Sequence, residues 1–279
     1  MTEKDAIRID LGDYILTGGG ANGESFDYRP DPSVMLKLYF PGKIKQPLDE
    51  LVLARKVHAL GISTPEPGDY VVTDDGRYGI RFRRIAGKKS FARATGDNPG
   101  RVAEYAEDFA RMCLKLHSTL IDTTQFESVK DKYFRLLADN PFFTAGEKDR
   151  IGRFIADAPD ACTAIHGDLQ FGNAIFAGDE KYFIDLGDFC YGYCLFDLGM
   201  VYLTCLLSKE DFLKEAFHMP REVAVRFWEC FAHAYFGNDH PLKDIEEEVR
   251  PYAGLKTLIV ERDTGRPMPE FREALESIL

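Results

Sequence analysis

The sequence predicts an α+β protein with two regions, and three observations carry that prediction. Up to about residue 87, short strand-like runs surround a single helical stretch. Beyond Gly87, long stretches with helical spacing take over. Within that helical region a single segment returns to strand character, "NAIF" and "KYFID" around "AGDE". The boundary falls near Ile85–Lys89, giving a small antiparallel-sheet region over 1–87 and a larger helical region over 88–279.

In the sheet region, "AIRIDL" and "YILTG" read as short strands, and "SVMLKLYF" as a stronger one whose apolar residues enclose a single charge, Lys37. "QPLDELVLARKVHALG" predicts a helix, with Leu48, Leu51, Val52, Val57 and Leu60 near helical spacing and Gly61 as the stop. "YVVTDDGRYGIRFRRIAG" predicts a hairpin turning at Asp75-Gly76. "TGGGANGESF" reads as a glycine-rich turn, the kind of backbone that a phosphate can approach closely. It is neither G-x-G-x-x-G nor a Walker A motif.

In the helical region the stretches with helical spacing are "RVAEYAEDFARMCLKLHSTL", "KYFRLLADN", "GEKDRIGRFIAD", "LFDLGMVYLTCLL", "REVAVRFWECFAHAYF" and "FREALESIL". "IEEEV" reads as a solvated helix face.

Composition removes several classes. At 279 residues with 45% hydrophobic and 29% charged, the chain can bury a sizeable core and is not of the disordered type. The charged N-terminus lacks the apolar stretch of a secretory signal, and no apolar run approaches the eighteen residues of a membrane span, so no membrane partner is expected. Six scattered cysteines without a CxxC pair read as free thiols of a cytoplasmic protein, and Cys190 and Cys194 lack the second pair of a zinc site. The net charge of −11, from 35 basic and 46 acidic residues, opposes a nucleic-acid partner; it suits solubility and would attract a cationic ligand.

The chemistry lies in "AIHGDLQFGNAIF" and "YFIDLGDFCYG", where His166, Asp168 and Asn173 shortly precede Asp185 and Asp188. Carboxylates so close in sequence repel unless a metal ion or a basic residue sits among them, or the fold separates them. With a hairpin turn centred near Asp179, Phe176 faces Tyr182 and Asn173 comes opposite Asp185, with Cα atoms within about 5 Å. Two oxygen donors at one end of a ribbon suit a hard cation such as Mg²⁺ whose shell phosphates complete, while Asp168 stands beside them as a general base. Any one of these residues could simply serve a turn or a cap. The combination H-G-D-x₄-N arises by chance on the order of once per thousand chains of this length at average residue usage.

"HGDLQFGN" followed by "FIDLGD" resembles the catalytic signature of the aminoglycoside phosphotransferase and choline kinase family, small-molecule relatives of the protein kinases. "ARMCLKLHST", "GYCLFDLGMVYL" and "LARKVHALGISTPEP" resemble further family segments, so that the likeness runs from about Ile15 to Phe236. The resemblance implies a two-lobed protein-kinase-like fold with ATP between the lobes and transfer of its γ-phosphate to a hydroxyl of an amino alcohol, sugar or aminoglycoside-like molecule. It implies Asp168 as general base, Asn173 and Asp185 as Mg²⁺ ligands, and Lys37 on the α/β-phosphates, paired with Glu50. Gly19 and Gly20 would cover the phosphates, and the connection at Ile85 and Gly87 would receive adenine. His166 and Asp197 would support the loop, Asp188 would either support the metal ligands or itself contact the metal, and His117 reads as a helix-end packing residue. No A-P-E segment follows Asp185, which speaks against a protein substrate. The competing classes are a catalytically silent nucleotide sensor and a metal-dependent hydrolase using the same carboxylates.

Overall fold

Alternation in "VMLKLY" sets up the first unit: Leu36 and Leu38 point to one face of a strand, Lys37 and Tyr39 to the other. The computed structural model describes residues 2–20, 22–42 and 46–279. Ala21, in the glycine-rich stretch, lies outside the described residues. The strands are β1 (Ile7–Ile9), β2 (Tyr14–Gly19), β3 (Gly23–Tyr28), β4 (Val34–Tyr39), β5 (Pro67–Thr73) and β6 (Tyr78–Arg83), with helix α1 (Pro47–Ala59) between β4 and β5. They form one six-stranded sheet in the order β1-β5-β6-β4-β3-β2.

The sheet is not wholly antiparallel, which corrects the sequence expectation. β1 runs parallel to β5, with Ile7 opposite Val71, while the other pairs are antiparallel. A parallel neighbour needs a long connection, and three strands and α1 supply it here. Strands reach into the glycine-rich stretch from both sides: β2 runs to Gly19, and β3 begins at Gly23. Ile9, Tyr14, Phe26, Leu36, Leu38 and Val71 pack on one face of the sheet. Tyr39, Leu51, Tyr70 and Ile80 pack on the other, where α1 contributes Leu51.

The second unit begins with β7 (Lys89–Ser90) and α2 (Phe91–Asp97), the latter capped by the Ser90 hydroxyl. Helices α3 (Val102–His117), α4 (Val129–Asp139) and α5 (Ala145–Asp157) follow, and α5 opens with a Thr144–Glu147 capping box. Strand β8 (Ala164–Ile165) leads into the H-G-D segment. Then come the hairpin β9 (Ala174–Ala177) and β10 (Glu180–Phe183), with Gly178 (φ 60°) and Asp179 between them, and β11 (Cys190–Tyr191), antiparallel to β8. Helices α6 (Leu195–Tyr202), α7 (Glu210–Phe217), α8 (Arg221–Phe236), α9 (Leu242–Leu255), α10 (Thr257–Thr264) and α11 (Pro269–Arg272) complete the chain. "FREALESIL" is helical only briefly, in α11 and a 3₁₀ turn over Glu273–Leu275.

The chain does not divide at a single cut near residue 87. One compact unit joins Met1–Lys88 with Ile175–Gly187, and the other joins Lys89–Ala174 with Asp188–Leu279. Local hydrogen bonds explain the return: the Phe183 amide donates to the Ser63 carbonyl at 2.8 Å, and the Ser63 hydroxyl donates to the Lys181 carbonyl at 2.5 Å. A strand-rich interruption in a helical sequence thus belongs with the sheet unit.

Candidate active site

In the first unit, β4 and α1 bring one ammonium to two carboxylates. Lys37 faces the α1 side of the sheet because Leu36 and Leu38, fully buried, take the opposite face. Its Nζ donates to Glu50 Oε1 at 2.7 Å and to Asp185 Oδ1 at 3.1 Å, and lies 5.0 Å from the centre of the Tyr39 ring. Glu50 is in the first turn of α1, where the helix dipole favours a carboxylate, and is 5% exposed, while neighbouring Asp49 faces solvent. That burial settles which of the two acids meets Lys37. Burial, followed by the charge of Glu50, pushes the Tyr39 phenol well above its usual range. Asp185 has φ 59°, a left-handed backbone that few non-glycine residues adopt and that often accompanies a functional constraint.

The glycines at the β2–β3 tip are equally informative. A Cβ on Gly18 or Gly20 would meet nothing within 4 Å, and one on Gly19 only the Gly23 carbonyl at 3.9 Å. None of the three has a positive φ, so neither packing nor backbone conformation requires glycine there. They line an open depression of about 590 Å³ with Leu16, Thr17, Glu24 and Phe40. Gly23 differs, since a Cβ would stand 2.2 Å from the Leu38 carbonyl oxygen. Past β6, Ile85 is half-buried, and Gly87 is exposed with φ 67°.

In the second unit, a buried carboxylate ties down the H-G-D turn. Asp197, in the first turn of α6 and fully buried, accepts the His166 amide at 2.7 Å and the Gly167 amide at 2.8 Å. His117 Nε2 meets Asp197 Oδ2 at 3.1 Å, and His117 Nδ1 meets the Tyr235 hydroxyl at 2.8 Å. His117 is therefore more than a packing residue at a helix end. Burial alone would raise the Asp197 carboxyl; the hydrogen bond and charge of His117, with Lys256 and His166, outweigh it and hold Asp197 below the usual carboxylate range. His166 is fully buried, and its Nδ1 accepts the Asp168 amide at 3.3 Å.

Asn173 Nδ2 donates to the Asp168 backbone carbonyl and to Asp168 Oδ2, both at 3.0 Å. With its amide group so engaged, Asn173 keeps Oδ1 without a hydrogen-bond donor among the described residues. That oxygen, like the carboxylate of Asp185, is a hard donor of the kind magnesium takes. Asn173 immediately precedes β9, and Asp185 is the second residue after β10. Among the described residues, no three His, Cys, Asp or Glu side chains gather as a metal cage, so water and phosphate would have to complete any shell.

Two buried lysines escaped the sequence reading. Lys132 on α4 donates to Asp188 Oδ1 at 2.8 Å and to the Asp188 backbone carbonyl at 3.1 Å. Lys256, between α9 and α10, donates to the Gly167 carbonyl at 3.3 Å. The clash expected among the acids is thus relieved by basic residues, Lys37 at Asp185 and Lys132 at Asp188. Lys132 did leave a signal: it shares the apolar stripe Val129, Tyr133, Leu136 and Leu137. Lys256 left a weaker one, a lone charge in "AGLKTLIV".

A family model described as the phosphotransferase enzyme family matches residues 19–234. No curated protein sequence matches the chain. Among solved structures, the chain is similar to a choline/ethanolamine kinase family protein from Mesorhizobium loti, at 20% identity and TM-score 0.52, over 95% of this chain and 84% of the other. It is similar to a thermostable mutant of the aminoglycoside phosphotransferase APH(4)-Ia in a ternary complex with ADP and hygromycin B, at 13% identity and TM-score 0.64, over 94% and 90%. A third is APH(2")-IIa in complex with gentamicin, at 18% identity and TM-score 0.55, over 95% and 88%. At these identities the likeness shows a common fold, the protein-kinase-like α+β fold expected from the sequence.

Proposed function

Because the chain belongs to the phosphotransferase enzyme family, we propose that it transfers the γ-phosphate of ATP to a hydroxyl of a small molecule, with magnesium as the metal. Phosphoryl transfer asks a protein chiefly for positioning and for neutralisation of charge. Asp168 takes the proton of the acceptor hydroxyl and aims its oxygen. Asn173 and Asp185 hold magnesium, which when bound offsets charge on the β- and γ-phosphates. Lys37, steadied by Glu50, contacts the phosphates, and the open glycines at 18–20 let backbone amides approach them. Ile85 and Gly87 offer backbone groups to the base. An acceptor with a hydroxyl and a positive charge fits the net charge of −11. Neighbours in fold are in complex with AMP-PNP, Ca²⁺ and Ami, or with ADP and hygromycin B, which supports ATP as donor.

The observation that carries this reading is Asp168 held in place from both sides: its amide on His166, its carboxylate on Asn173. A base fixed by its neighbours is what oriented proton abstraction needs. The test is Mg²⁺-dependent ADP formation from ATP across a panel of amino alcohols, sugars and aminoglycosides. Asp168→Asn is expected to lower transfer by about 10³-fold or more while nucleotide affinity stays within about twofold, since a general base acts on the acceptor. An equally active variant rules out the base assignment. ATP binding without turnover on any acceptor would identify a nucleotide sensor instead.

A further inference from the structure

The H-G-D turn has all its backbone amides accounted for: His166 and Gly167 donate to Asp197, and Asp168 donates to His166. The two bonds to Asp197 anchor the turn on the α6 side, and the third closes the turn on itself. On another side, Gly167 lies against the chain at Asp188, so close that a Cβ would stand 2.0 Å from the Asp188 carbonyl oxygen. That same carbonyl accepts from Lys132. The remaining anchor is Lys256, 1% exposed, whose Nζ reaches the Gly167 carbonyl and lies 5.5 Å from the centre of the Tyr133 ring.

We propose that Lys256 is a positioning residue for phosphoryl transfer: its buried ammonium holds the peptide carbonyl between Gly167 and Asp168, and so fixes where the Asp168 carboxylate stands. The proposal rests on the reading of Asp168 as general base. An ammonium out of water is costly, and a hydrophobic side chain of similar length would serve packing better. The three acids whose charges reach it do not depend on it for a partner, because Asp197 holds His117 and two amides, Asp188 holds Lys132, and Asp168 accepts from Asn173. Removing the Lys256 charge therefore leaves no carboxylate unpaired. What it removes is the only side-chain donor on the Gly167 carbonyl among the described residues, and with it one anchor of the catalytic peptide. Burial pushes the Lys256 ammonium below its usual range, opposed first by Asp197 and then by Asp168, which also places its charge within reach of the base.

The test compares K256M and K256R with wild type by steady-state kinetics, thermal unfolding and amide hydrogen exchange over residues 164–170. Met keeps the length of the stem and deletes the charge. For K256M, kcat is expected to fall about 10–100-fold, as a small misplacement of a reacting group does. The KM for ATP should stay within about twofold, since the nucleotide contacts are untouched. Unfolding should shift by only a few degrees, and the 164–170 segment should exchange faster than wild type while the rest of the chain does not. K256R, which restores a cationic donor, should recover some of the lost kcat and of the protection. A purely structural role would instead lower the midpoint and raise exchange throughout. A K256M chain that fails to fold, or that folds with wild-type kcat and wild-type exchange, overturns the proposal. Should the wild type transfer phosphate to no acceptor, the activity reading fails by itself, and the exchange measurement still reports whether Lys256 holds the turn.

Discussion

The two units treat their charges in opposite ways. In the sheet unit, Lys37 and Asp185 remain 20% and 27% exposed, and the nearby glycine tip is empty of packing contacts. In the helical unit, Asp197, His166 and Lys256 are all but sealed from solvent, and Gly167 is hemmed in by backbone. The first arrangement is open and incompletely determined by the fold, as suits groups that must rearrange around a ligand. The second is overdetermined, as suits a backbone turn that must not move. Damage to the first should therefore appear in kinetics, and disruption of the packed backbone of the second in stability, whereas removing the Lys256 anchor alone leaves that packing in place and should appear in kcat.

The largest expected effect is in the sealed region. Gly167→Ala should cost about 3 kcal/mol or more, from a left-handed φ of 85° combined with a backbone overlap that cannot relax. Urea unfolding measures it, and a loss below about 1 kcal/mol would show that the turn is less confined than its geometry indicates. Acid should reveal the same region. The Asp197 carboxyl titrates lower in the folded chain than its ordinary value of 3.8. Its contribution to stability is therefore complete above about pH 4 and is lost as pH falls through the folded value. Between about pH 5 and pH 2, wild type should lose more stability than Asp197→Asn. Parallel losses in the two chains would show that other carboxylates carry the acid transition.

In the open region the balance reverses. Glu50→Gln keeps the shape of the side chain and one acceptor for Lys37, so stability should move by about 1 kcal/mol or less. Turnover, by contrast, should fall about 10–100-fold, because Lys37 loses the charge that fixes its reach. Unfolding and initial-rate measurements on the same preparation decide the matter: a large stability loss with little kinetic change would place Glu50 with the structural acids.

What could be read from the sequence follows the same division. Asp168, Asn173 and Asp185 sit at fixed spacings around one short hairpin, and spacing was enough to nominate them, whereas Lys37 and Asp197 entered through the resemblance of their segments to the family's. The strands around Lys37 and the helix carrying Glu50 were legible because alternation and helical periodicity are local signals. The pairings of Lys132, Lys256 and His117 were not legible, since their partners lie 56, 89 and 80 residues away, and no spacing rule spans such distances. Of helix α9 only "IEEEV" was legible, because Pro251 interrupts the pattern beyond it, and α7 is only eight residues long. The parallel β1–β5 pair depends on tertiary contacts that strand pattern does not encode.

The smallest effect is also the sharpest contrast with Gly167. Gly18→Ala adds a methyl group that would meet nothing within 4 Å, at a position without a positive φ. The folded chain should accept it, and stability should stay level or rise by a few tenths of a kcal/mol, since alanine restricts the unfolded chain. If the exposed backbone at 18–20 exists to let phosphate approach, that methyl should still weaken ATP binding, by about 3–10-fold for one imperfectly placed hydrogen bond. Calorimetric titration with a non-hydrolysable ATP analogue, set beside a melting curve, separates the two. An unchanged affinity would mean that these glycines serve the hairpin and not the nucleotide, and the phosphate contacts would then rest on Lys37 and the metal ligands alone.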